Sequence, residues 1–352
     1  MDRDVTESLI ARHQIRNVLA RHSRGVDRAD ATLLGSAYHD DATVDYGFYA
    51  GPTPALVAML ATAQKAALPT LHRTSNCEIR VAGDRAISES YVIAHVEEPT
   101  LQRTVFGRYL DRLERRDGAW RLTHRTYVLD SNTNRPGTSA QADPPLADDH
   151  FVPAGGKGAS DAARVLLARH HAATRRLQGA LPMTADPAAL DAALAREAIR
   201  VLLSAYCRGV DRGDAGLLAS LFWDDAEVVS GVVNGDAASF ARDIVAHVTA
   251  ALEVSFHSIA NEWIEVRGDH AVGEHYVIAH SRAGGEDMMT GGRYLDRYER
   301  RGGAWKIASR VFVCDWTSTH ATTFDPTGFY EGLTTRGCFG SKDPVYKHWE
   351  SA

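Results

Sequence analysis

The sequence has little cysteine, and this scarcity excludes two classes of small site. Only four of its 352 residues are cysteine, and no two of them form a CxxC pair. Neither a disulfide framework nor a thiolate zinc site is therefore expected. The four residues, which we interpret as free and mostly buried thiols, are Cys77, Cys207, Cys314 and Cys338.

Long apolar runs and a basic stripe are also missing. No stretch approaches the roughly 20 apolar residues that a membrane span needs, and the start, MDRDVTESLIARHQ, is charged where a signal peptide would be apolar. The formal charge is -6, and Lys and Arg are mixed among acidic residues, as in YLDRLERRDG. The sequence therefore predicts a cytoplasmic protein that binds neither a membrane nor nucleic acid.

What the sequence does contain is a long internal repeat. The segment IRNVLARHSRGVDRADATLLGSAYHDDA from Ile15 is answered by IRVLLSAYCRGVDRGDAGLLASLFWDDA from Ile199, an offset of 184 residues (199 − 15). Farther along, YVIAH from Tyr91 recurs from Tyr276, an offset of 185 (276 − 91). One inserted residue in the second copy reconciles the alignment, so the chain is a tandem duplication.

Each copy changes its apolar spacing once, and this change predicts the fold class. The first part has helical spacing, and Asp30 and Asp214 stand where a second short helix needs an N-cap. A short strand at 43–46 or 227–229 and a third helix follow, and from about residues 71 and 256 the pattern has period two with Gly-rich turns. We expect two tandem α+β domains, each a cone in which helices pack on a curved mixed or antiparallel sheet.

Composition divides the chain into domains and connecting segments. Pro, Gly, Ala and Asp dominate 136–158, which is linker composition, and 160–177 has a helical pattern. The aromatic residues of the tail suggest that it docks on a domain, over the mouth of a pocket. The predicted division is a first domain at 1–135, a linker at 136–190, a second domain at 191–318 and a tail at 319–352.

Polar residues that both copies keep at inward positions are the candidates for chemistry. The four pairs are Asp27 with Asp211, His72 with His257, His95 with His280, and Arg125 with Arg310. Each has a structural alternative: a solvated loop carboxylate, a core histidine, an exposed strand arginine. Together, a carboxylate that accepts the Nδ1 hydrogen of an imidazole leaves Nε2 as a general base. By contrast, the repeated YLDRxERR is expected on a solvated outer face or a domain interface, and Trp120 and Trp305 in the core.

The order helix, GVDR, helix, DDA, strand, helix, (F/L)H, YxxAH, GxYLDRxERR resembles the SnoaL-like branch of the nuclear transport factor 2-like superfamily. The resemblance covers both repeats almost completely. It implies cofactor-free elimination, the theme of the dehydratases, the dehydrochlorinase and the formaldehyde lyases in that group. It also assigns Asp27 with His72, and Asp211 with His257, as catalytic dyads.

The resemblance further implies a second polar group on the next strand, matching His95 and His280, and a substrate-contacting arginine, matching Arg125 and Arg310. The copies differ in their tyrosines. The helical tyrosine that would hold a leaving oxygen is Tyr206 in the second copy but His22 in the first, while the strand tyrosine is Tyr46 in the first but Ser230 in the second. Two unequal pockets are expected, with the second favoured for catalysis.

We therefore expect a cofactor-independent lyase acting on a small, cyclic or aromatic, hydroxylated and largely apolar substrate, without a metal. Three alternatives stay open at this point. The same base would serve an isomerase or a polyketide cyclase, two histidines and one carboxylate would suit a divalent metal, and the cone would also suit a binding protein without catalysis. We expect the two repeats to pair within the chain, and homo-oligomers of the whole chain are a further expectation.

Overall fold

The computed structural model describes residues 3–66, 70–137, 157 and 187–351. Within them the chain forms two α+β domains in tandem, each with helices against a six-stranded mixed sheet. The predicted fold class is confirmed. The predicted helix at 160–177 and most of the predicted linker at 136–190 lie outside the described residues.

The first domain begins with two helices, and its four long strands come last. Its helices are α1 (Arg3–Asp27), α2 (Ala31–Gly35) and α3 (Thr53–Ala66). Its strands are β1 (Tyr38–Asp45), β2 (Ala50–Pro52), β3 (Thr70–Ala82), β4 (Arg85–Glu97), β5 (Leu101–Arg116) and β6 (Ala119–Pro136).

The second domain repeats this order, and a short tail helix follows it. Its helices are α4 (Pro187–Asp211), α5 (Ala215–Ser220) and α6 (Ala237–Ala251), and the tail carries α7 (Pro344–Glu350). Its strands are β7 (Phe222–Val229), β8 (Asn234–Asp236), β9 (Val254–Arg267), β10 (His270–Ala283), β11 (Glu286–Arg301) and β12 (Ala304–Ala321).

Both sheets have the same topology. The first has the strand order β2-β1-β6-β5-β4-β3 and the second the order β8-β7-β12-β11-β10-β9. The four long strands are antiparallel, whereas β1 runs parallel to β6 and β7 parallel to β12. The first strand of each domain is longer than the sequence indicated, since β1 begins at Tyr38. In both sheets the long strands β3 and β9 form one edge.

Local sequence explains how the first two helices turn. Asp30 caps α2 by accepting a hydrogen bond from the backbone N–H of Leu33 at 2.9 Å, and Asp214 caps α5 in the same way, as predicted. Gly25 allows α2 to lie against α1, because a Cβ there would come within 2.7 Å of the Leu34 backbone. The carboxyl end of the long helix is thereby fixed beside the sheet.

The outer faces of the two sheets have different environments. The outer face of the first sheet is covered by the second domain, where Phe256 packs on Tyr91 and Phe106. The outer face of the second sheet is buried against the first domain at Phe256 and His280, but is exposed farther along, with Trp263 66% and Tyr276 47% accessible. The two domains therefore contact each other asymmetrically, while the pairing of the repeats as a pseudo-dimer and homo-oligomerisation stay predictions.

The tail docks on the first domain. Val345 of α7 packs with Leu110 and Val128 on the outer face of the first sheet, while Tyr330 and Leu333 join the first domain's core. That core also contains Tyr46, so the tail closes over the first cone, as its aromatic residues suggested.

Smaller expectations have mixed outcomes. Trp120 and Trp305 are buried core residues, as predicted. The cysteines are free, but the expectation that most are buried is wrong: only Cys207 is buried, whereas Cys314 on β12 and Cys338 in the tail are exposed. No helix in the described ranges has the length and apolarity that a membrane crossing requires.

Candidate active site

An aspartate and a histidine meet at the same place in each domain. Asp27 is the last residue of α1, and its Oδ1 lies 2.6 Å from Nδ1 of His72 on β3. Its Oδ2 accepts the backbone N–H of His72 at 2.8 Å. Asp211 and His257 repeat both contacts at 2.6 and 2.8 Å. The structure therefore brings together both predicted pairs.

Each dyad carboxylate also accepts a hydrogen bond from a hydroxyl that was not predicted from the sequence. Thr70 donates its hydroxyl hydrogen to Asp27 at 3.1 Å, and Ser255 donates to Asp211 at 2.8 Å. Each of these residues lies two positions before the dyad histidine, on the same strand face. Three donors thus fix the carboxylate, and the carboxylate fixes the imidazole ring.

The charge state of the second dyad follows from its surroundings. Burial alone would raise the pKa of Asp211, but the charge and hydrogen bonds of His257, together with the charge of Arg212, hold that pKa below its ordinary value. An ionised carboxylate only accepts hydrogen bonds, so Nδ1 of His257 carries the hydrogen. In the neutral ring, Nε2 is then left with its lone pair, the arrangement of a general base.

A buried arginine lies on the inner face of each sheet and is held by an aspartate that we did not predict. Arg125 donates two hydrogen bonds to Asp111 at 2.7 and 2.8 Å, and Arg310 donates two to Asp296 at 2.8 and 2.6 Å. Within the described ranges, the remaining nitrogen Nη1 of each arginine has no hydrogen-bond partner.

The aspartates come from YLDR, for which we expected an outer face or an interface. The expectation is wrong for Asp111, because side chains alternate between the two faces of a strand. Asp111 and Arg108 are three residues apart on β5, so Asp111 points inward while Arg108 points to the domain interface. A predicted inward arginine could have signalled the need for an inward carboxylate.

Aromatic rings surround the two arginines, and the two sites differ here. The guanidinium of Arg310 lies 4.0 Å from the ring centre of Tyr206 and 4.2 Å from that of Tyr294. The guanidinium of Arg125 lies 3.9 Å from the ring centre of Tyr109. At the place of Tyr206 the first domain has His22.

The first site is the more polar of the two. Its Tyr46 hydroxyl lies 3.3 Å from Nε2 of His22, and burial, helped by the charge of Arg125, holds the pKa of His22 well below its ordinary value. His22 is therefore neutral at pH 7. In the second domain Ser230, the counterpart of Tyr46, bonds within a turn to Val233.

At several positions the second site has a residue of a different type from its counterpart in the first. Phe222 and Phe312 stand at the positions that Tyr38 and Tyr127 occupy in the first domain. Behind Arg310, the Tyr298 hydroxyl donates to Asp296 at 2.6 Å and lies 2.9 Å from Nε2 of His275. The second site therefore has a more apolar wall and a longer hydrogen-bond network than the first.

The register removes His95 and His280 from both sites. His72 pairs with Ala94, so His95 projects from the opposite face of the sheet. His257 likewise pairs with Ala279. Neither histidine lies on the sheet face of its dyad, which contradicts the catalytic role that the resemblance implied for them. The facial arrangement of two histidines and one carboxylate, which the metal alternative required, is therefore not formed.

His280 instead belongs to the domain interface. Its ring stacks on Phe106 with ring centres 4.3 Å apart, and its Nε2 lies 3.0 Å from the hydroxyl of Ser131. Burial lowers the pKa of His280 to about 4, the charge of Asp287 opposing and that of Arg282 adding to this shift. Closing the interface thus favours the neutral ring.

This histidine makes stability depend on pH. Between pH 6.5 and 4 the unfolded chain binds a proton at His280 and the folded chain does not, so the unfolding free energy falls as pH falls through this window. We expect His280→Gln to reduce that slope by up to about 1.4 kcal/mol per pH unit. Urea unfolding of both proteins at pH 4 to 7 measures it, and parallel curves would contradict the assignment.

No group of three His, Cys, Asp or Glu side chains in the described ranges is arranged to hold a metal ion. Among the residues seen, the polar groups that each site brings together are a dyad, a buried arginine and a phenol.

Comparison with known proteins gives consistent matches. The sequence profile described as "SnoaL-like domain" matches residues 7–126 and again 191–311. Hexachlorocyclohexane dehydrochlorinase 1 of Sphingobium indicum is 29% identical over 124 residues, 34% of this chain and 80% of that protein. Gamma-hexachlorocyclohexane dehydrochlorinase of Sphingobium indicum is 29% identical over 129 residues, 34% of this chain and 81% of that protein.

Solved structures match over about one domain. A type 2 hexachlorocyclohexane dehydrochlorinase has 29% identity and a TM-score of 0.36, over 38% of this chain and 95% of that one. A type 3 enzyme from Novosphingobium barchaimii has 30% identity and a TM-score of 0.34, over 36% of this chain and 90% of that one.

Proposed function

The chain belongs to the SnoaL-like domain family, which both of its domains match, and from that premise we propose that it is a lyase that needs no cofactor. The substrate class is a small, largely apolar ring that carries a hydroxyl or halogen leaving group. The observation that supports the proposal is the repeated dyad, in which aspartate and histidine nitrogen are 2.6 Å apart in both domains. The curated relatives that it matches are named as dehydrochlorinases.

Each dyad would begin the elimination by removing a proton. Nε2 of His72 or His257 takes a proton from a ring carbon, the C–H electron pair becomes a new double bond, and the leaving group departs from the neighbouring carbon with its bonding pair. The ionised aspartate stabilises the imidazolium that forms. The imidazolium then returns its proton to a departing hydroxide, or to water when the leaving group is chloride.

The buried arginine and its neighbours would receive the developing negative charge. Nη1 of Arg125 and of Arg310 is a buried donor without a partner in the described ranges, which favours an anionic or carbonyl oxygen, or a halide, beside it. Tyr206 in the second domain, and Tyr46 with neutral His22 in the first, supply further polar contacts to a leaving oxygen.

The two sites would prefer different substrates. Phe222 and Phe312 make the wall of the second site more apolar than that of the first, where Tyr38 and Tyr127 stand. We infer that the first site takes the more hydroxylated substrates and the second the more apolar ones. Tyr206, whose place His22 takes in the first domain, remains the reason to expect catalysis in the second site.

Product analysis tests the reaction class. The full chain is incubated separately with gamma-hexachlorocyclohexane and with cyclic β-hydroxyketones, and products are followed by mass spectrometry and chloride release. Loss of HCl or water supports a lyase. A product of unchanged mass supports the isomerase or cyclase alternative, and binding without any product supports a carrier.

Chelation tests the metal alternative separately. We expect EDTA treatment followed by dialysis to leave the rate of elimination unchanged, because both carboxylate oxygens of each dyad already accept hydrogen bonds from the protein. Rates before and after treatment, with zinc and iron added back, give the comparison. A rate that falls with chelation and returns with one metal would overturn the metal-free mechanism.

A further inference from the structure

The second dyad is held from outside its own domain. Asp211 is flanked in the sequence by Arg208 of α4 and by Arg212, the residue after the helix, and both arginines reach the outer face of the first sheet. Arg208 contacts Glu78 at 3.0 Å and Glu89 at 3.1 Å. Asp130 receives Arg212 at 3.1 Å. The helix end that carries the aspartate is therefore anchored in the first domain.

The first domain also holds the strand that carries the histidine. Arg73 and Ser75 contact the hydroxyl of Ser258 at 2.7 and 2.8 Å, and Asn76 bonds to the strand's backbone. Asn76 donates its amide hydrogen to the backbone oxygen of His257 and accepts the backbone N–H of Ile259 at 2.8 Å. Because β9 is the edge strand of its sheet, its outward peptide groups have no neighbouring strand within that sheet. The amide of Asn76 takes the place of one, on either side of Ser258.

The backbone of Asn76 is shaped for this contact. It lies in a bulge of β3, where the register with β4 shifts between Ser75 and Glu78, and its φ is +43°. Asparagine tolerates this left-handed conformation better than most residues. The side chain is 9% exposed, so the bulge turns a polar side chain out of its own sheet and into the neighbouring domain.

The second domain contains the same bulge without the contact. Asn261 is the counterpart of Asn76, with a φ of +49° and the equivalent register shift in β9. It is exposed and lines an open groove of about 660 Å³ together with Trp263 and Tyr276. Asn76 therefore bonds to the strand that carries a dyad histidine, whereas the matched Asn261 lies at an exposed position.

We propose that Asn76 is a positioning residue for the second site, so that the first domain builds part of the second domain's catalytic base. By holding the peptides on both sides of Ser258, it sets the position of His257 relative to Asp211 and to substrate. The proposal rests on the lyase function proposed above for its kinetic readout. Its spectroscopic readout does not, because the dyad hydrogen bond exists without substrate.

The test removes the amide without disturbing the backbone. Asn76→Gly keeps the positive φ available, and Asn261→Gly is the matched control in the exposed bulge. Both are made in the full chain. The low-field proton resonances of the two dyads, assigned with His72→Ala and His257→Ala, are recorded for each variant.

We expect Asn76→Gly to shift or broaden the His257 resonance and to leave that of His72 in place, which also shows that the chain is folded. Asn261→Gly should change neither. In a His72→Ala background, kcat of the second site should fall about 10-fold with little change in KM, since small misplacements of a catalytic group slow catalysis strongly. Asn76→Gln should restore neither the His257 resonance nor kcat fully, because its longer side chain places the amide differently.

Two results would overturn the proposal: an unmoved His257 resonance in Asn76→Gly, or equal effects of Asn76→Gly and Asn261→Gly. If the resonance moves but no substrate is turned over by any variant, the positioning role stands and the lyase function fails. The two claims are thereby separated.

Discussion

The double variant His72→Ala, His257→Ala should lose nearly all elimination activity, about 100- to 10,000-fold, the range that a positioned general base contributes. Each alanine removes the nitrogen that accepts the substrate proton and leaves its aspartate, Asp27 or Asp211, in place. Chloride or water release under saturating substrate measures the loss. Circular dichroism and urea unfolding confirm that the variant is folded.

The single variants divide the activity between the sites. Because the two sites have different walls, His72→Ala and His257→Ala should each remove turnover of a different group of substrates. His95→Ala is the matched control, since that histidine faces away from the dyad, and it should keep wild-type rates. Full activity in the double variant would remove the dyads from the mechanism, and a loss in His95→Ala would reopen the role first implied for that residue.

The largest expected effect on stability comes from substituting Arg108, because three buried carboxylates then lose a charged partner. Arg108 bonds Asp130 and Asp343 at 2.7 to 2.9 Å and Glu89 at 3.3 Å, and its side chain is fully buried. Removing one partner of such a buried network destabilises a protein by about 3 to 5 kcal/mol. We expect Arg108→Leu to lower the unfolding free energy by that amount in urea titrations.

The repeat supplies the control for this prediction. Arg293 is the counterpart of Arg108 and makes the equivalent bonds to Asp315 and Glu274 at 3.0 Å, but on the exposed outer face of the second sheet. Exposed ion pairs contribute roughly 0 to 1 kcal/mol, so Arg293→Leu should have little effect. Equal losses in the two variants would show that burial by the second domain and the tail does not decide the strength of the network.

The sequence predicted the fold and the dyads for the same physical reason. The duplication doubled every signal, so an inward Asp27 or His72 could be recognised because Asp211 and His257 repeat it. Helical and period-two spacing then placed the aspartate at a helix end and the histidine at a strand start. Asp30 and Asp214 were recognisable as caps because a cap is a local feature.

What the sequence could not show depends on strand register and on contacts across the repeat. His95 was assigned to the site because His280 repeats it and because it matches a family position, yet the pairing of His72 with Ala94 turns it away. Asp111 was placed outside because charges usually lie there, although its partner Arg125 required it inside.

Residues that are identical in the two repeats can also lie in different environments, which the sequence does not show. Asn76 and Asn261 are the same residue in the same bulge, and only the packing of one domain on the other distinguishes them. Arg108 and Arg293 differ for the same reason. A duplicated chain in an asymmetric contact therefore has two chemically similar sites with different physical support.

The central claim is that His72 and His257 are bases oriented by their aspartates, and nitrogen-15 NMR of labelled histidines tests it most directly. In protein treated with EDTA and without substrate, both rings should be neutral, with hydrogen on Nδ1 and a lone pair on Nε2. Rings protonated at Nε2, or nitrogen shifts that change on adding a divalent metal, would contradict it.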